Sequence, residues 1–124
     1  MKAALEEGKS IFLQISESIE DDILTEIISE EELIPSTNQI AKHYLINPAT
    51  AAKGVNLLVD DGIIYKKRGI GMCVKTGARD IILQKRKKSF YDNFILSLIK
   101  EADKLGISKT DLINMIERDE QHEQ

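Results

Sequence analysis

The sequence predicts a mainly α fold with a small β-hairpin: a winged helix-turn-helix domain followed by a C-terminal helical extension. Three observations predict it. Residues 36–44 and 47–61 read as two short capped helices joined by a tight turn. Residues 63–67 and 72–75 read as two short strands joined across a basic tip, Arg68–Gly71. Residues 80–116 then carry two more helical patterns with a long apolar stripe. This order of elements is one that places a helix in a DNA major groove.

With 124 residues and 14.0 kDa, the chain can hold one domain plus a short extension. We place the boundary in the TGARD stretch, giving residues 1–76 to the winged domain and 77–124 to a two-helix dimerisation region. Its 42% hydrophobic and 31% charged residues are ordinary for a globular protein. No apolar run approaches ~18 residues, so no membrane partner is expected. The start, MKAALEEGKS, lacks the apolar core of a secretory signal, and a cytoplasmic location follows as the expectation. The single cysteine, Cys73, cannot pair within the chain, and with His43 and His122 it makes no ligand cluster. No metal or cofactor is expected, and no enzyme, because His43 has no acid or nucleophile placed with it.

A net charge of −4 argues at first against nucleic acid. Its distribution argues the other way. Residues 1–40 carry two Lys against ten Asp and Glu, whereas residues 41–88 carry eleven Lys and Arg against three Asp. The local basic footprint, not the whole-chain balance, decides polyanion binding. A lysine-rich segment is also compatible with a merely solvated surface.

In the first helix, residues 11–29, Ile11, Ile15, Ile19, Ile23 and Ile27 recur every fourth position. Ser10 is its candidate N-cap, and Glu17, Glu20, Asp21 and Asp22 form an outward acidic side. Glu30, Glu31 and Glu32 oppose the helix dipole at the end, where the helix should stop. After Pro35, Ser36 and Gln39 form a capping box that opens the second helix. Ile40, Ala41 and Tyr44 make its inner face. Asn47 is an N-cap and Pro48 fits the first turn of the third helix, which runs to about Asp61 and stops at Gly62. Ala51, Val55 and Leu58 face inward; Asn47, Ala49, Thr50 and Lys53 lie on the other side.

The hairpin glycines, Gly69 and Gly71, suit a tight tip. As a nucleotide signal this G-x-G fails, since it opens no helix. From about Asp80 to Leu105, a stripe of Leu83, Phe90, Phe94, Leu98, Ala102 and Leu105 runs beside Tyr91, Ile95 and Ile99. Gly106 ends it. Ser108 and Asp111 open a last helix bearing Leu112, Ile113, Met115 and Ile116, with a polar tail from Glu117. Two helices with so much apolar surface cannot close a core alone, and a symmetric homodimer is the economical partner.

The segments PSTNQIA (35–41), INPATAAK (46–53) and DGIIYKKRGIGM (61–72), with FLQI in the first helix, resemble the GntR family of bacterial transcriptional regulators. The INP-x-T segment, the wing and the short tail resemble its YtrA-like branch. The resemblance implies a homodimeric repressor, in that branch often of ABC-transporter operons. Carried over by position, it implies DNA contacts at Asn38, at Asn47, Ala49, Thr50 and Lys53, and at the wing residues Arg68, Gly69 and Gly71. Two departures thin the reading surface: Ala49 stands where the branch commonly has Asn, and Ala52 where other branches often carry Arg. Leu45 holds a turn position where Gly is usual, so an αL conformation would strain it by about 1–2 kcal/mol. Cys73 replaces an aromatic or aliphatic residue; a small buried hydrophobe and a redox sensor are the two readings.

The expected partner is therefore double-stranded DNA, with an inverted-repeat operator matching the dimer's two-fold axis. Ser36 and Asn47 cap helix ends that can face phosphates, and Lys42, Lys53, Lys66, Lys67, Arg68 and Lys75 neutralise the backbone. The Lys85–Lys88 cluster either adds flanking phosphate contacts or is a solvated face. An unidentified small-molecule effector would have to bind between subunits or between tail and wing domain. The competing reading, suggested by the acidic net charge with Ala49 and Ala52, is a protein-interaction or assembly module with weak, non-specific DNA binding.

Overall fold

Ile15, Ile19 and Ile23 are almost wholly buried and form the floor of the core. They lie a turn apart on one face of α1 (Ile11–Leu24). A computed structural model describes residues 1–122. After α1 come α2 (Thr37–Tyr44), α3 (Pro48–Asp60), β1 (Ile64–Lys67), β2 (Gly71–Val74) and α4 (Ala78–Phe90). A π-helical segment (Tyr91–Ile95), α5 (Leu96–Lys104) and α6 (Lys109–His122) follow. Helix α3 packs against α1, α2 and β1. Ile40, Ala51, Val55, Leu58, Ile63 and Val74 join the α1 isoleucines in one core, with Ala78 and Ile82 contributed by α4. The expected class, mainly helical with an antiparallel hairpin, is the class observed. The chain divides into two compact units, Met1–Lys85 and Arg86–Gln124.

The first helix is shorter than its isoleucine period suggests. It ends at Leu24 rather than Ser29, because Glu26 turns to φ 62° and its N–H bonds to the Ile23 carbonyl. Ile27 thereby leaves the stripe and stands 70% exposed, while Ile28 turns inward. The acidic side is also not uniformly outward. Glu20 and Asp22 are buried, which a carboxylate tolerates only with partners. Lys85 Nζ lies 2.7 Å from Glu20 Oε2 and 2.8 Å from Asp61 Oδ2, and the Met1 amine lies 2.7 Å from Asp22 Oδ2. Desolvation acts to lower the Lys85 pKa, but hydrogen bonds to Asp61 and Glu20 outweigh it and the pKa is raised.

Ser10 sits at the N-cap position but makes no capping bond, and its buried hydroxyl has no partner among the described residues. The residues before it form an arm along α1. Lys2 N donates to Ser18 Oγ at 2.7 Å, and Glu6 exchanges two backbone hydrogen bonds with the Gln14 amide. Tyr44 donates its hydroxyl to the Lys2 carbonyl at 2.5 Å.

The hairpin pairs Ile64 with Val74 and Lys67 with Gly71. A third extended segment borders β2: Glu31 N donates to Val74 O, Val74 N to Glu32 O and Ile34 N to Met72 O, with Leu33 opposite Cys73. This pairing helps bury Cys73.

At the turn between α2 and α3, Leu45 adopts the αL conformation, φ 54° and ψ 48°, and is 91% exposed. Its side chain contributes almost no burial to set against the ~1–2 kcal/mol of αL strain. Glycine would relieve that strain at an entropic cost of about 0.5–1 kcal/mol. Leu45→Gly is expected to stabilise the fold by about 1 kcal/mol in urea unfolding.

In the Arg86–Gln124 unit, the expected uninterrupted helix is instead broken by the π segment, where Leu96 N–H bonds five residues back to the Tyr91 carbonyl. The Phe90 and Phe94 rings lie 5.4 Å apart. Ser108 and Asp111 cap α6 reciprocally, with Asp111 N donating to Ser108 Oγ at 3.1 Å.

Candidate nucleic-acid interface

Both short helices of the tandem begin with side-chain caps. At α2, Ser36 Oγ accepts from Gln39 N at 3.1 Å while Ser36 N donates to Gln39 Oε1 at 2.8 Å. At α3, Asn47 Oδ1 accepts from Ala49 N at 2.8 Å, with Pro48 in the first turn. These caps fix where each helix starts and leave its positive dipole end facing outward, the arrangement that receives phosphate oxygens.

The outer face of α3 carries Ala49, Lys53 and Asn56, all exposed, with Thr50 and Ala52 half-buried. Asn38 and Lys42 are exposed on α2. The wing presents Lys66, Lys67, Arg68 and Gly69 to solvent, and Lys75 is exposed just after β2. Its tip is a turn closed by Ile70 N donating to Lys67 O at 3.0 Å. Gly69, at φ 77°, supplies the positive φ that the third position of such a turn requires, and Gly71 follows at φ 138°. Two helix N-termini and a basic hairpin thus belong to the same compact unit.

Two acidic residues near the wing are committed elsewhere. Glu31 accepts from the Tyr65 hydroxyl at 2.5 Å and from Thr76 Oγ1 at 2.7 Å, which together hold its pKa below the carboxylate range. Backbone N–H groups of Gly77 and Arg79 do the same for Glu30. The hydrogen bond to Glu31 pushes Tyr65 up to about 12. A depressed carboxylate favours the fold above pH 4.5 and loses that contribution on acidification. A raised phenol favours it below pH 10 and loses it as pH climbs through 12. Spectroscopic titration of Tyr65 at 295 nm should therefore report about 12, falling toward 10 in Glu31→Gln.

Lys85 is engaged with Glu20 and Asp61, whereas Lys87 and Lys88 are exposed. Of the residues expected at a dimer interface, Phe90, Phe94, Leu98, Leu105, Ile113 and Ile116 are exposed, from 42% for Leu98 to 65% for Leu105. Leu83, Ile95, Ile99 and Leu112 are half-buried and Ala102 is buried. Among the described residues, no helix is long and apolar enough to cross a membrane.

Two residues of this surface escaped the sequence reading. Asn56 lies three and seven positions beyond Lys53 and Ala49, so helical periodicity alone places it on their face. Phe12 is the second: its ring sits under Lys53 Nζ, 4.0 Å from the ring centroid. No local sequence signal joins residues 12 and 53.

The capped helix pair and the basic hairpin define a winged helix-turn-helix protein. Neither a protein-family profile nor a curated protein sequence matches the chain, but solved structures do. A GntR-family transcriptional regulator from Bacteroides thetaiotaomicron is 34% identical, with TM-score 0.74 over 92% of this chain and 99% of that one. YtrA from Sulfolobus acidocaldarius, a GntR-family transcription factor, is 26% identical, with TM-score 0.56 over 98% and 97% of the two chains. The DNA-binding domain of AraR, solved in complex with its operator ORX1, is 25% identical, with TM-score 0.50 over 60% of this chain and 90% of that one. The chain belongs to the GntR family of transcriptional regulators, and its likeness to YtrA extends over almost its full length.

Proposed function

We propose that the protein is a homodimeric repressor that binds an inverted-repeat operator in double-stranded DNA. One observation carries this reading: the capped N-termini of α2 and α3 and the Lys66–Gly69 wing tip occur together in one compact unit. Family membership supports it, as does the operator complex of AraR. Helix α3 enters the major groove by its N-terminal end, with Asn47, Thr50 and Lys53 facing base edges and phosphates. The wing and Lys42 add backbone contacts. Ala49 offers only a methyl group, suited to thymine.

The exposed apolar side chains of the π segment, α5 and α6 support the dimer, because a second copy is the partner available to cover them symmetrically. A genome-bound regulator works in the cytoplasm, and the resemblance of the INP-x-T segment, wing and short tail to the YtrA-like branch implies an ABC-transporter operon as its target. Selection from a random duplex pool tests the operator. Enriched sites should be inverted repeats with half-sites about one helical turn, ~10 bp, apart. A pool that gains no common sequence would reject sequence-specific repression.

A further inference from the structure

Helix α1 approaches α3 unusually closely at Gly54. A Cβ there would lie 2.9 Å from the Phe12 carbonyl oxygen and 3.0 Å from Ile15 Cγ2. This close crossing carries the Phe12 ring up to the neighbouring residue of α3, where the Lys53 amine rests 4.0 Å from the ring centroid. Phe12 is half-buried and Lys53 exposed, so the ring is held by the protein while the ammonium keeps contact with water. An ammonium over an aromatic face is attracted by the ring quadrupole and loses little of its donor capacity on the outward side. A free lysine has four rotatable bonds to immobilise before it can hold a phosphate.

We propose that Phe12 is a positioning residue for DNA binding: its ring pre-orients the Lys53 ammonium for a phosphate beside the groove that α3 enters. The inference rests on the DNA-binding reading above. It assigns to α1, otherwise a core helix, a share in the interface.

The test replaces Phe12 with 4-fluoro-, trifluoro- and pentafluorophenylalanine, which keep the ring's shape while draining its negative face. Affinity is measured for a selected duplex, or for any duplex bound at low salt, in the full chain. Affinity should fall stepwise along the series, by about two- to fivefold overall. The same series in a Lys53→Met background should be flat. Thermal melts of each variant report the packing role separately. An unchanged or rising affinity along the series, or an equal fall in the Lys53→Met background, overturns the proposal. If the unmodified chain binds no duplex at low salt, the DNA-binding reading itself fails. Binding by the unmodified chain with a flat fluorination series refutes the role of Phe12 alone.

Discussion

Replacing Lys66, Lys67 and Arg68 together with alanine is expected to weaken duplex binding by about 100-fold at ~0.1 M salt, with the fold left intact. All three side chains are exposed on the hairpin, and Ile64, Cys73 and Val74, which anchor it, are untouched. Surface substitutions of this kind change stability by no more than about 0.5 kcal/mol. Each lost phosphate contact should lower the slope of log K against log salt by about 0.9, so the triple variant should lose nearly three units per protomer. The loss should be similar for matched and scrambled duplexes, because backbone contacts carry no sequence information directly. Substituting Thr50 should behave differently and erode discrimination more than overall affinity.

Gly54→Leu is expected to destabilise the protein by about 3 kcal/mol. The added Cβ alone would stand 2.9 Å from a backbone oxygen of α1, a contact that no side-chain rotation relieves. Helices α1 and α3 must move apart along the packed face that includes Ile15, Ile19, Ala51 and Val55. Overpacking a core typically costs 1–3 kcal/mol or more. Removing glycine from a helix interior returns about 1 kcal/mol, which the larger clash exceeds. Gly54→Ala, with the smallest Cβ, should cost about 1 kcal/mol by urea unfolding, and the gap between the two variants measures how rigid the crossing is. Because the same crossing sets Phe12 under Lys53, Gly54→Ala should also weaken DNA binding modestly.

The features carried by local chemistry were legible in the sequence. Ser36 with Gln39, Asn47 with Pro48, and the paired glycines of the wing each act within a few residues, and each appears where its residue types demand. Leu45 was marked as a strained position only through the family resemblance, in which Gly is usual at that turn, and its φ of 54° is αL. What depends on distant partners was not legible. The burial of Glu20 rests on Lys85, and that of Asp22 on the Met1 amine, so an acidic residue that reads as solvated is enclosed instead. The extended Glu31–Ile34 segment is invisible because a glutamate run has poor strand propensity and its pairing is supplied wholly by β2. The isoleucine period ran past the true end of α1 because hydrophobic spacing marks a face but does not report the backbone turn at Glu26.

The interface followed the same division. Lys66, Lys67 and Arg68 were evident from composition, while the Phe12–Lys53 contact needed the tertiary crossing at Gly54. On the proposed interface the reading surface of α3 is thin: with Ala49 and Ala52 offering only methyl groups, discrimination would fall to Asn47, Thr50 and, by its place on the same face, Asn56. An asparagine can pair bidentately with adenine, and such a pair contributes about 1–3 kcal/mol of discrimination.

The most direct test of the whole account is a titration of the unmodified protein with inverted-repeat and scrambled duplexes across a series of salt concentrations. Operator-specific repression by the dimer requires binding to both at low salt, a steep linear fall of log K with log salt, and retention of the inverted repeat alone at moderate salt. Absence of binding to any duplex at low salt would contradict it.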